Sequence, residues 1–219
     1  MVTRPRRASW LHVSDRTCQI VAHELGQRGR TLDVARWDVE QHIHSARQAG
    51  WPDRIHAVFK RHAIRQVGYV ADNGIARLIE LCERDNEITE VALACEAEGP
   101  GLVLGAMLGG ERAALLMQSS GVGNCVNTFS ILQSCAAPCV LVVSMRGEHD
   151  DFNSWQVPMG SITESVLTLC GFRCLRVENE TDVESTTDAA CRMAFGGEHP
   201  QVAVLLAQRM VSRTKPEGH

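Results

Sequence analysis

Four stretches of this 219-residue chain set polar side chains and glycines directly after short apolar runs. One reads Ala94-Cys95-Glu96-Ala97-Glu98-Gly99-Pro100-Gly101, with Glu98 where a helix begins and unpaired backbone N–H groups favour a carboxylate. On spacing alone Glu98 reads first as a capping acid. A second reads Gln118-Ser119-Ser120-Gly121-Val122-Gly123-Asn124, whose amides and hydroxyls suit an anion and equally an ordinary turn. Gly121-x-Gly123 begins like a dinucleotide fingerprint, but Val126 stands where the third glycine belongs. The third stretch runs from Met145 to Gly160, and connections this long are often functional. Within it, Arg146 suits a carboxylate, a sulfonate or a surface ion pair. His149 suits acid–base work, though a solvated loop histidine is the plainer reading. The fourth, Ala71-Asp72-Asn73-Gly74, has turn chemistry that accounts for both Asp72 and Asn73.

The elements around these stretches alternate. Pro52 suits a first helical turn, and Ile55, Val58, Phe59 and Ile64 fall roughly on one face. Strands are predicted near 67–70, 88–94, 112–117, 138–144, 173–177 and 201–206. Beyond the helix that carries Ile75, Leu78, Ile79 and Cys82, further helices are predicted near 98–109, 123–135, 160–170 and 182–195. Runs such as Ala113-Ala114-Leu115-Leu116-Met117 and Cys139-Val140-Leu141-Val142-Val143 have the continuous apolar character of strands buried on both faces. The economical fold is α/β: a doubly wound, mostly parallel six-stranded sheet flanked by helices. Ligands then bind at the carboxyl ends of the strands, which places 71–74, 95–99, 118–123 and 145–159 on one edge. Gly101, Gly105 and Gly109 recur every four residues in the second helix after the first strand, at about 1 kcal/mol each in helix propensity, so a close-packed neighbour is predicted there.

Composition narrows the function. With 44% hydrophobic and 22% charged residues the chain is globular, and a net charge of -4 gives no reason to expect a nucleic-acid or membrane partner. Residues 1–50, rich in arginine and histidine with one helix-like stretch at Arg16–Arg28, read as a partly helical or disordered extension. Residues 51–212 form the domain, and 213–219 a tail. No signal peptide is read at the start. Nine cysteines, several in apolar runs (Cys82, Cys95, Cys139), read as buried thiols of a cytoplasmic protein. Cys135-x3-Cys139 and Cys170-x3-Cys174 are looser than zinc pairs, so no metal is assigned to this chain.

Together the motifs resemble the alpha subunit of sulfopyruvate decarboxylases, a thiamine-diphosphate-dependent family related to phosphonopyruvate decarboxylases. Glu98-Gly99 before a glycine-rich helix resembles the glutamate motif of thiamine-diphosphate enzymes. Met117-Gln118-Ser119-Ser120-Gly121-Val122-Gly123-Asn124-x-x-Asn127, Arg146-Gly147-Glu148 and Gln156-Val157-Pro158-Met159-Gly160 resemble family segments, and the similarity runs from about 52 to 210. The resemblance implies that Glu98 is the catalytic carboxylate at the cofactor's pyrimidine nitrogen, with Gly99 and Gln118 beside the cofactor. It implies that Asp72, Gln118, Ser119, Ser120, Asn124 and Arg146 line the side of a small anionic 2-oxoacid. No Gly-Asp-Gly occurs, so the diphosphate and its Mg2+ are expected on a beta subunit, in a hetero-oligomer. Phosphonopyruvate or another 2-oxoacid remains an alternative substrate. A nucleotide-binding regulatory module and a non-catalytic partner of another enzyme remain alternatives of other classes.

Overall fold

The computed structural model describes residues 50–149 and 151–211. The predicted extension (apart from Gly50) and the 213–219 tail lie outside them. In chain order the elements are α1 (Trp51–Arg61), β1 (Ile64–Tyr69), α2 (Ala76–Arg84), β2 (Thr89–Ala92), α3 (Gly99–Leu108) and β3 (Arg112–Gln118). There follow α4 (Ser119–Cys125), α5 (Phe129–Ser134), β4 (Cys139–Ser144), α6 (Val157–Leu169), β5 (Arg173–Val177), α7 (Val183–Phe195), β6 (Gln201–Leu206) and α8 (Gln208–Val211).

All five strand pairings are parallel, in the order β2-β1-β3-β4-β6-β5. The chain runs outward from β1 to β2, then crosses back to β3, so the winding reverses between β1 and β3. A crevice at the carboxyl edge lies where helices on opposite faces diverge. Alternate strand residues face opposite layers. Val67, Ala114, Leu116, Val140, Val142, Val202 and Val204 pack with α1, α2 and α7. Leu115, Met117, Leu141, Val143, Ala203 and Leu205 pack with α3, α4, α5 and α6. β4 and β6 are buried throughout, as strands covered on both faces must be.

Three local differences from the sequence reading bear on the site. β1 begins at Ile64, earlier than residue 67, because Ile64 is fully buried while Arg65 and Gln66 reach outward to Glu87 and Glu111. The single helix predicted over 123–135 is two, broken between Cys125 and Phe129, where Thr128 Oγ1 donates to Cys125 O at 3.1 Å. The first begins at Ser119, so most of the predicted 118–123 loop is helical. Cys95, read as buried, is exposed, because the short edge strand β2 ends at Ala92. Cys82, Cys125 and Cys191 are buried free thiols, and desolvation pushes each up to about 12.

Candidate active site at the carboxyl edge

Each strand of the central sheet hands its last residues to this edge. After β2 comes one 3₁₀ turn, Glu96–Glu98, which leads straight into α3. Glu96 is buried at 7% exposure, whereas Glu98 is exposed and its Oε2 accepts the Ala94 N–H at 3.1 Å. Glu96 Oε2 accepts from Asn124 Nδ2 at 2.9 Å, which joins the β2 loop to α4. Its other oxygen lies against Gly121, where a Cβ would come within 2.6 Å of Oε1. The missing side chain at 121 is therefore what admits the carboxylate. Among the described residues, Oε1 takes no hydrogen bond of its own.

α4 is lashed to the long connection after β4. Ser119 is fully buried; its Oγ accepts the Arg146 N–H at 3.1 Å, and its carbonyl accepts from Thr163 Oγ1 at 3.5 Å. Met159 Sδ would lie 3.2 Å from a Cβ on Gly123. Gln156 Nε2 donates to Gln118 Oε1 at 3.4 Å. Ser119, predicted to face substrate, thus ties two loops together. Ser120 sits half-buried beside it.

Arg146 forms a bidentate pair with Asp151, Nε to Oδ2 at 2.8 Å and Nη2 to Oδ1 at 2.7 Å, and Phe152 covers the guanidinium at 5.2 Å. The ion pair it makes is with a buried aspartate and not on the surface. Asp151 also accepts the N–H groups of Gly147 and Asn153, and its side chain is only 1% exposed. Hydrogen bonding from Arg146 holds its carboxyl far below the usual carboxylate range. His149 is exposed; its N–H donates to Gln208 Oε1 at 3.1 Å.

The turns that hold this loop tolerate no side chain. Gly147 has φ +72, and a Cβ there would sit 2.5 Å from Gln156 O; one on Gly160 would sit 2.0 Å from Arg146 O. Both obstacles are backbone. Gly160→Ala is expected to cost about 1–3 kcal/mol. By calorimetry that is a melting temperature roughly 2–12 °C lower for a domain of this size.

Asp72 lies at the far side of the edge. Its Oδ2 accepts from Ser144 Oγ at 2.7 Å and from the Gly74 N–H at 3.2 Å, so it bridges the ends of β1 and β4 across β3. An open hollow of about 300 Å³, lined by Tyr69, Ala71, Asp72, Asn73, Ala76 and Ile79, adjoins it.

No family model matches the chain. The sulfopyruvate decarboxylase subunit alpha of Methanococcus maripaludis is 30% identical over 154 residues, 68% of this chain and 92% of that protein. The subunit of the same name from Methanothermobacter thermautotrophicus is 36% identical over 134 residues, 59% of this chain and 78% of that one. The chain belongs to the sulfopyruvate decarboxylase alpha-subunit family. As an α/β doubly wound fold, this family member resembles a solved 2-oxoglutarate:ferredoxin oxidoreductase from Magnetococcus marinus with 2-oxoglutarate, coenzyme A and succinyl-CoA bound. The TM-score is 0.56 at 13% identity, and the match covers 91% of this chain and 40% of that one.

Sequence reasoning passed over two buried polar residues at this edge, Glu96 and Gln156. A signal for Glu96 was present: two glutamates stand two apart in a one-turn connection, and only one can face inward.

Proposed function

We propose that this chain is the alpha subunit of a thiamine-diphosphate-dependent decarboxylase that converts 3-sulfopyruvate to sulfoacetaldehyde and CO2. The observation that carries this reading is the buried Glu96 carboxylate, pinned on one oxygen by Asn124 and admitted by Gly121. A carboxylate held so, between two rigid elements, fits the pyrimidine ring nitrogen of the cofactor. Glu96 therefore takes the role that the family resemblance first suggested for Glu98. When bound, thiamine diphosphate supplies a nucleophilic carbon and a sink for the electrons left by CO2.

Glu96 Oε1 holds the proton it shares with the ring nitrogen, while Asn124 keeps the carboxylate from turning. Gln118 and Asp72 face the substrate side, and Arg146 with Ser119 acts as the frame that fixes the long loop. The pyrimidine-binding domain spans residues 51–212. The diphosphate and Mg2+ belong to a beta subunit, with the active site between the two chains. Gly101 and Gly105 on α3 turn outward with nothing within 4 Å among the described residues, beside Leu108 at 77% exposure, and suit close approach of that partner. The close-packed neighbour predicted along Gly101, Gly105 and Gly109 is not found among the described residues; only Gly99, off that face, packs tightly, against Leu115 at 3.0 Å. Buried free thiols suit a reducing compartment, and we assign the protein to the cytoplasm.

The test is CO2 release from 3-sulfopyruvate with thiamine diphosphate and Mg2+, by the chain alone and co-expressed with a beta subunit. Release by the pair and none by the chain alone is expected. Faster release from 3-phosphonopyruvate would change the substrate and keep the chemistry. A pair that binds no thiamine diphosphate, with nucleotide affinity in the chain alone, would replace the decarboxylase by a nucleotide-binding module.

A further inference from the structure

The Gln118–Gln156 pair carries an inference that rests on the decarboxylase reading. Gln156 closes the 3₁₀ turn before α6 and is 2% exposed. Its backbone N–H donates to Asn153 O at 2.9 Å, and its carbonyl oxygen occupies the space a Cβ on Gly147 would need. Its Nε2 donates to Gln118 Oε1, while its own Oε1 is buried with no hydrogen-bond partner among the described residues. A buried acceptor left unpaired is costly, and its persistence calls for a reason.

A primary amide donates from one edge and accepts at the other. With Oε1 occupied by Gln156, Gln118 turns its two Nε2–H donors away from Gln156 at the carboxyl end of β3. The reversed pair would present oxygen there instead. A 2-oxoacid anion offers only acceptors through its carboxylate and carbonyl oxygens, so it needs the donor edge. We propose that Gln156 is a positioning residue that locks the Gln118 amide with its donors outward, so that the site selects an oxygen-acceptor group on an anionic substrate. Keeping the donor edge of Gln118 free in this way leaves the Oε1 of Gln156 unpaired.

Two variants of the alpha chain, each paired with the beta subunit, test this. Gln156→Glu, assayed at a pH high enough to ionise its buried carboxyl, can only accept, so Gln118 must turn its Nε2 inward and present oxygen. Its KM for 3-sulfopyruvate should rise tenfold or more, with kcat within about threefold of wild type. Gln156→Met removes both the orienting donor and the unpaired acceptor. Its KM should rise severalfold, while its melting temperature equals or exceeds that of wild type. In the full-length alpha chain, 15N-resolved exchange of the Gln118 side-chain amide should be fast in wild type and slowed in Gln156→Glu. KM within twofold of wild type in both variants would overturn the proposal and leave the decarboxylase reading standing. A lower melting temperature in Gln156→Met with KM unchanged would make Gln156 merely structural. Fast wild-type exchange with no CO2 release by the wild-type pair would fail the decarboxylase reading and keep the orientation; slow wild-type exchange would fail the orientation itself.

Discussion

Glu96→Gln in the paired enzyme is expected to lower decarboxylation at saturating substrate by about 10²- to 10⁴-fold, the range general acid–base groups contribute. Glu98→Gln is expected to lower it less than threefold. The amide replacing Glu96 keeps the shape, the contact with Gly121 and an oxygen for Asn124, but it cannot hold the shared proton. The exposed Glu98 only accepts the Ala94 N–H, and an amide oxygen does that equally well. Melting temperatures of both variants should stay near wild type, because neither change empties space or strands a buried group. Measuring kcat and unfolding on the same preparations separates chemistry from folding. Loss of turnover in Glu98→Gln with little change in Glu96→Gln would return the catalytic role to Glu98.

That the sequence pointed to Glu98 has a physical origin. Periodicity assigns faces only where an element repeats, and the Glu96–Glu98 turn is too short to repeat anything. The direction of Glu96 is set by Asn124 and Gly121, which lie 25 or more residues further along the chain. The strands were legible for the opposite reason. Cys139–Ser144 and Gln201–Leu206 are buried along their whole length, so nearly every residue carries the signal. The start of α4 was not, because Ser119-Ser120-Gly121 has the composition of a turn and weak helix propensity. There the tertiary bonds from Thr163 and Arg146 to Ser119 override local preference. Arg146 shows the limit from another side. Its position at the end of β4 was readable, but its partner Asp151 turned on how the following loop folds back.

Asp151→Asn is expected to loosen that loop and destabilise the chain by about 3 kcal/mol, at the low end of what removing one member of a buried charge pair costs. For a domain of this size the melting temperature should fall roughly 6–12 °C. The substitution turns an acceptor oxygen into an NH2 that faces Arg146 or the backbone donors of Gly147 and Asn153. KM for 3-sulfopyruvate should rise as well, because the loop carries Gln156 to Gln118. The effect should depend on pH in a definite direction. The Asp151 carboxyl in the folded chain is held far below the value of about 3.9 that an aspartate has in an unfolded chain. Its contribution is therefore fully present above about pH 4 and is lost as pH falls from there towards the folded value. The gap in unfolding free energy between wild type and Asp151→Asn should be constant between about pH 5 and 7 and shrink steadily below pH 4, as read by urea unfolding at each pH. A gap that stays constant down to pH 3 would mean that the Arg146–Asp151 pair does not hold the loop.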